Sequence, residues 1–211
     1  MELRRLLPLS GVAAVILVLA AVFIIGSTPG TDASGAKVAS YYDSHQARAF
    51  VGTFVLAACA PFFVIFAAYL ATALSPSEDR RRLWDLVLVA GSVLAAGAFV
   101  LTAFLTFALA DMPDKVSGDA LQALNILSND GWVAFNSGLG VMMLGAAGSL
   151  LPRVGVYRVL GWVALVLGIA LFIPFADFIA LLASGLWIIV TSAMLFRERS
   201  DARYVAAPNA A

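Results

Sequence analysis

The chain has 211 residues, 62% of them apolar and only 12% charged, with a mean hydropathy of +0.96. Water-soluble domains carry about 45–50% apolar and about 25% charged residues, so the composition excludes an ordinary soluble domain and points to several membrane-spanning segments. A single cysteine, Cys59, and a single histidine, His45, exclude an intrachain disulfide, a cysteine-based metal cluster and any motif needing two histidines; thirteen Lys and Arg against thirteen Asp and Glu leave no basic footprint for nucleic acid.

A hydrocarbon core about 30 Å thick needs about 20 helical residues, and six predominantly apolar runs approach that length: 6–25, 49–73, 83–109, 132–151, 157–173 and 178–196. None alternates as barrel strands do, so an all-α bundle of six transmembrane helices is expected. The first run follows Arg4 and Arg5 and is longer than the roughly 7–15 apolar residues of a signal peptide, which predicts a retained span. Between the first two spans, Val38, Tyr41, Tyr42 and His45 recur at helical steps in 35–48, predicting that the second helix begins well before its apolar run. Pro61 falls in the middle of that run and removes the hydrogen bond to the Ala57 carbonyl, making it the candidate hinge. Asp85 opens the third span close to Arg81 and Arg82, which predicts an interfacial ion pair. Residues 115–127 repeat a helical pattern after Asp114 or Ser117, either of which suits an N-cap. Together with 35–48 this segment is expected to form two short amphipathic lids over one end of the bundle. The fourth span is the richest in small residues: Gly138, Gly145 and Gly148 are candidate helix-packing positions, because small side chains let backbones approach. The last two spans are joined by only four residues and must form a hairpin. Residues 1–196 thus make one bundle domain, and 197–211 are expected to be a short disordered cytoplasmic tail.

Counting Lys and Arg in alternate loops places ten on the side of the termini and three, Lys37, Arg48 and Lys115, on the other. That asymmetry puts both termini in the cytoplasm of a multi-pass plasma-membrane protein. Seven aspartates, among them Asp130 and Asp177, lie outside or at the outer interface, so no carboxylate is expected at mid-depth.

The stretch Ala39-Ser40-Tyr41-Tyr42-Asp43-Ser44-His45, which follows a proline-bearing loop and leads straight into the second span ahead of an arginine-rich turn, resembles a group of small six-helix membrane proteins of actinobacterial type. The group has no established activity, so the resemblance implies a fold and no mechanism.

Candidate ligand-binding residues are few. Tyr42 and His45 share a helical stripe, Asp130 is placed to cap the fourth span at the same level, and Asn136 and Ser137 lie just inside it. No phosphate loop, nucleophile motif, metal-ligand spacing or cofactor signature is present, so neither catalysis nor a cofactor is supported. Three readings follow. The first is a non-enzymatic protein that associates with itself, with another membrane protein or with the envelope. The second is an outward-opening binder or permease for a small molecule or lipid, and the third is a membrane enzyme or pH sensor centred on His45. The lipid bilayer is the one partner common to all three.

Overall fold

The computed structural model describes residues 6–74 and 79–206, with side chains for 6–73 and 83–198. A 3₁₀ turn, Leu7–Leu9, holds Pro8, where a missing N–H costs nothing, and leads into α1, Ser10–Ile25. There follow α2, Gly35–Leu74; α3, Asp79–Asp111; α4, Gly118–Asp130; α5, Trp132–Leu150; α6, Val156–Ala170; and α7, Asp177–Ala206. Among the described residues there is no strand. Five stretches are long and apolar enough to cross a membrane: Leu7–Ile25, Gly35–Ala73, Leu83–Asp111, Gly118–Leu150 and Asp177–Glu198. Large apolar side chains such as Ile16, Phe54, Leu94, Phe104, Trp162 and Phe178 are exposed around the bundle, an arrangement compatible with a multi-pass membrane protein.

The fifth expected span, 157–173, is shorter than the sequence indicates. α6 has 15 residues, about 22 Å of helix, and stops at Ala170 because the chain turns through Leu171–Ala176. Phe175 takes a left-handed φ of 71° in that turn and is 96% exposed. The hairpin is tied lower down, where Trp187 Nε1 donates to the Leu160 carbonyl at 3.0 Å and the Tyr157 hydroxyl donates to Glu198. α7 runs on to Ala206, through most of the segment expected to be a tail; 207–211 lie outside the described residues.

α3 and α5 make the most extensive pairing in the fold. The reason is legible atom by atom. Gly138 lies against the Ala95 backbone nitrogen, Gly145 against that of Leu88, and Gly91 against that of Met142, each so closely that a methyl group would overlap it. Gly148 is covered by the Trp84 ring and Gly140 by Phe172. The small face of the fourth span is thereby consumed inside the chain. Leu88, Met142, Met143, Phe66, Leu70 and Ile188 fill the main core around this contact.

The antiparallel register of α3 and α5 continues upward without a break, with Gly131 beside Thr102 Oγ1 and Thr106 Oγ1 within 3.4 Å of Ser128 Oγ. Gly131 itself keeps helical dihedrals, φ −56° and ψ −21°. α4 therefore stands in line on α5 rather than lying across the bundle as a lid. With the first turns of α2 and the loop 26–34 it encloses a second, separate core of Ala33, Val38, Tyr42, Ala49, Leu109, Ala110 and Leu121. Ser117 caps α4, accepting from the Ala120 amide. We call this unit the cap.

Candidate functional site

The cap is braced by polar groups that close off backbone ends. α1 terminates at Gly26, whose φ of 68° favours glycine, and leaves the Ile25 carbonyl without a helical partner. Arg48 Nη2 donates to that carbonyl at 2.8 Å and to the Tyr41 hydroxyl at 2.6 Å, placing a cation at the negative end of the helix. On the other side of the loop Asn125, which is 0% exposed, donates through Nδ2 to the Gly30 carbonyl at 2.9 Å and the Pro29 carbonyl at 3.3 Å. Asn129, one turn on, donates to Pro29 at 3.1 Å. The loop is thus pinned from both flanks.

Between the pinned loop and α2 runs an open groove of about 430 Å³. Ser27 and Thr28 line one wall, and Lys37, Ser40, Tyr41 and Ser44 the other. Several hydroxyls and one ammonium are set among the carbon of its lining, an arrangement that can both bury apolar surface and hydrogen-bond a partner or a small molecule.

His45 sits at the edge of this region, where it breaks α2: its φ of −122° and ψ of 16° are the non-helical values within the element. Its ring stacks on Tyr41 at 4.5 Å between centroids, and Nδ1 lies 2.8 Å from the Tyr41 carbonyl. A carbonyl only accepts, so Nδ1 carries the hydrogen in this contact. The chain around Pro61 keeps helical dihedrals, so the discontinuity in α2 falls sixteen residues earlier than the candidate hinge. His45→Ala is expected to cost about 1 kcal/mol through lost stacking and one hydrogen bond, read as a small fall in Tm at neutral pH.

The sequence-derived ligand residues do not form one cluster. Tyr42 is buried in the cap core and meets Tyr41 edge-on at 5.2 Å. Asp130 ends α4 with an exposed side chain and caps nothing; the N-cap position of α5 is Gly131, since α4 runs directly into α5 and leaves no free helix start there. Ser137 is exposed, its hydroxyl donating back to the Val133 carbonyl at 2.8 Å. Among the described residues no three His, Cys, Asp or Glu side chains converge.

Asn136 takes a different course. It is 3% exposed, and its Nδ2 donates to Asp177 Oδ2 at 3.2 Å. Its neighbour Phe135 closes a ring cluster with Phe63 and Phe99, at centroid distances of 6.2 and 4.3 Å. Phe63 and Phe99 sit near the middle of the apolar runs of α2 and α3. Asp177, expected in an outer turn, opens α7 directly after the turn at 171–176 and is only 9% exposed. The short α6 ends the hairpin below the cap. Near the opposite end of the bundle Asp85 is also buried and accepts from Ser149 Oγ at 2.7 Å; the arginines expected to pair with it lie outside the described side chains.

No family model, curated protein or solved structure matches the chain. Its function rests on its own geometry.

Proposed function

We propose that the chain is a six-span plasma-membrane protein with both termini in the cytoplasm, and that it works by association through its external cap rather than by catalysis. The ten-to-three division of Lys and Arg supports the orientation. α6 supplies the sixth crossing as half of a hairpin with α7, and α4 and the start of α2 stand outside. This arrangement accords with the resemblance to six-helix actinobacterial membrane proteins. Association through the small-residue faces loses its basis, since Gly91, Gly138 and Gly145 are packed within the chain. The observation that carries the proposal is the groove beside the pinned loop: an open surface of mixed polar and apolar lining on a braced scaffold, able to hold another membrane or envelope component without rearrangement.

A second reading is favoured by the size of the same groove, about 430 Å³, which falls within the roughly 300–1,000 Å³ of ligand sites. Here a polar small molecule or lipid headgroup is the occupant. Native mass spectrometry of the protein extracted with its own lipids separates the two. A defined assembly in the wild type that is lost in Ser40→Trp supports association, and a discrete added mass on the monomer lost in the same variant supports the ligand. A bare monomer in both proteins overturns both readings.

A further inference from the structure

A crossing made by α6 is short. Its 15 residues span about 22 Å, against about 30 Å for the hydrocarbon core of an ordinary bilayer. Neither end makes up the deficit. At the start, Arg158 stands in the first turn with an exposed side chain, its Nε donating to the Arg153 carbonyl at 3.0 Å, which keeps that end at the headgroups. At the finish, the turn 171–176 folds straight back into α7.

The hairpin tip is surfaced with carbon. Residues 159–176 contain no charged side chain, and Phe172, Ile173, Phe175, Phe178 and Ile179 are all exposed around the turn. The carboxylate that follows, Asp177, is turned inward to Asn136. Phe175 is held outward at a φ of 71°, a backbone conformation that is strained for phenylalanine. Such a tip is stable against acyl chains and not against water. It continues the exposed apolar flanks of the hairpin, Trp162 and Leu182 among them, so one occupant covers both. On the other side of the bundle exposed carbon reaches further towards the cap. Phe104 lies nine residues, about 14 Å of helix, beyond Ala95, which is level with Gly138, whereas the hairpin turns at Phe172, level with Gly140.

Nor can the hairpin rise to meet a thicker membrane. Phe172 covers Gly140, Gly168 abuts Leu144, and Gly161 abuts Leu150 and Leu151, so α6 is locked in height against α5. Packed helices yield less readily than lipid. We propose that the α6–α7 hairpin is a lipid-facing wedge that thins the bilayer on its side of the bundle, with outer-leaflet acyl chains drawn down to Phe175. The wedge rests on the six-span reading above and is independent of the cap groove.

The test uses the full chain in vesicles of phosphatidylcholine whose monounsaturated chains run from 14 to 22 carbons. Thermal unfolding, followed by tryptophan fluorescence, is expected to give the highest Tm at 14 carbons and a value about 5 °C lower at 22. A Tm independent of chain length, or highest at 18 carbons or more, overturns the proposal. A nitroxide on Phe175→Cys reads the tip directly, since residue 175 is exposed and Cys59 is buried from the label. A constant ratio of oxygen to nickel-chelate collision rates is expected at every chain length, because the lipid surface follows the tip. A ratio that climbs with chain length shows a tip sunk in an undeformed bilayer, and full access of the chelate shows a tip in water; either overturns it. The six-span reading fails separately, if a C-terminal green fluorescent protein fusion stays dark in cells while an alkaline phosphatase fusion is active.

Discussion

Gly138→Leu is expected to remove the folded protein, with a loss of about 3 kcal/mol, the upper part of the range for overpacking. The magnitude follows from what the new side chain meets. At Gly138 even a methyl overlaps the Ala95 backbone nitrogen, and a backbone cannot swing aside as a side chain tip can. α3 and α5 must move apart, which also strips the contacts of Gly91 with Met142 and Gly145 with Leu88. Gly97, two residues beyond Ala95 in α3, is the matched control: nothing lies within 4 Å of an added methyl there, so Gly97→Ala should stabilise by about 0.5–1 kcal/mol through helix propensity alone. Unfolding of the two variants in detergent by graded SDS or heat checks both signs. If Gly138→Leu leaves the unfolding midpoint in place and alters only oligomeric state, the intramolecular role of this face is refuted.

The second large effect is expected in the cap. Asn125→Asp keeps shape and volume but replaces the amide donor by a carboxylate, which then confronts the Pro29 and Gly30 carbonyls with no water to separate them. Two attractive contacts become repulsive in a fully buried place, at a cost of about 3 kcal/mol. Protonation returns one O–H donor, so part of the loss should be recovered as pH falls. Hydrogen exchange of loop 26–34 is the direct reading: fast at neutral pH in the variant, slower on acidification, and slow throughout in wild type. Cap amides that remain protected in Asn125→Asp at neutral pH would show that the loop is held by its apolar contacts instead.

Much of the bundle is legible in the sequence because membrane helices are specified by length and charge, both of which can be counted. The stripe Val38, Tyr41, Tyr42, His45 announces the early start of α2, although His45 itself takes non-helical dihedrals, and Ser117 announces α4 as the N-cap that accepts from the Ala120 amide. What escapes is depth. The 132–151 run has the length of a span, and only the unbroken pairing of α3 with α4 and α5 reveals that Asn136 lies well below the end of that rod. The contact of Asp177 with Asn136 escapes for the complementary reason: an aspartate after Pro174 reads as a surface turn, and nothing local says that its side chain is buried against another helix. The groove is equally hidden, since Lys37, Ser40 and Ser44 acquire a shared surface only when Asn125 and Asn129, about a hundred residues away, hold the loop opposite them. Asn125 and Asn129 themselves carry a detectable sign, two amides one turn apart on an otherwise amphipathic helix.

The in-line stacking of α4 on α5 has a mechanical consequence. Residues 118–150 form a strut about 50 Å long, whose upper third stands in the cap and whose lower two thirds pass Asn136 before ending at Leu150, beside Ser149 and Asp85. A helix resists bending far better than a loop transmits force, and the Gly131 joint is braced sideways by α3. A load applied to the cap is therefore carried as tilt or rotation down the strut, where a shift of one ångström alters the 3.2 Å contact between Asn136 and Asp177. Cap surface and buried carboxylate are two stations on a single lever.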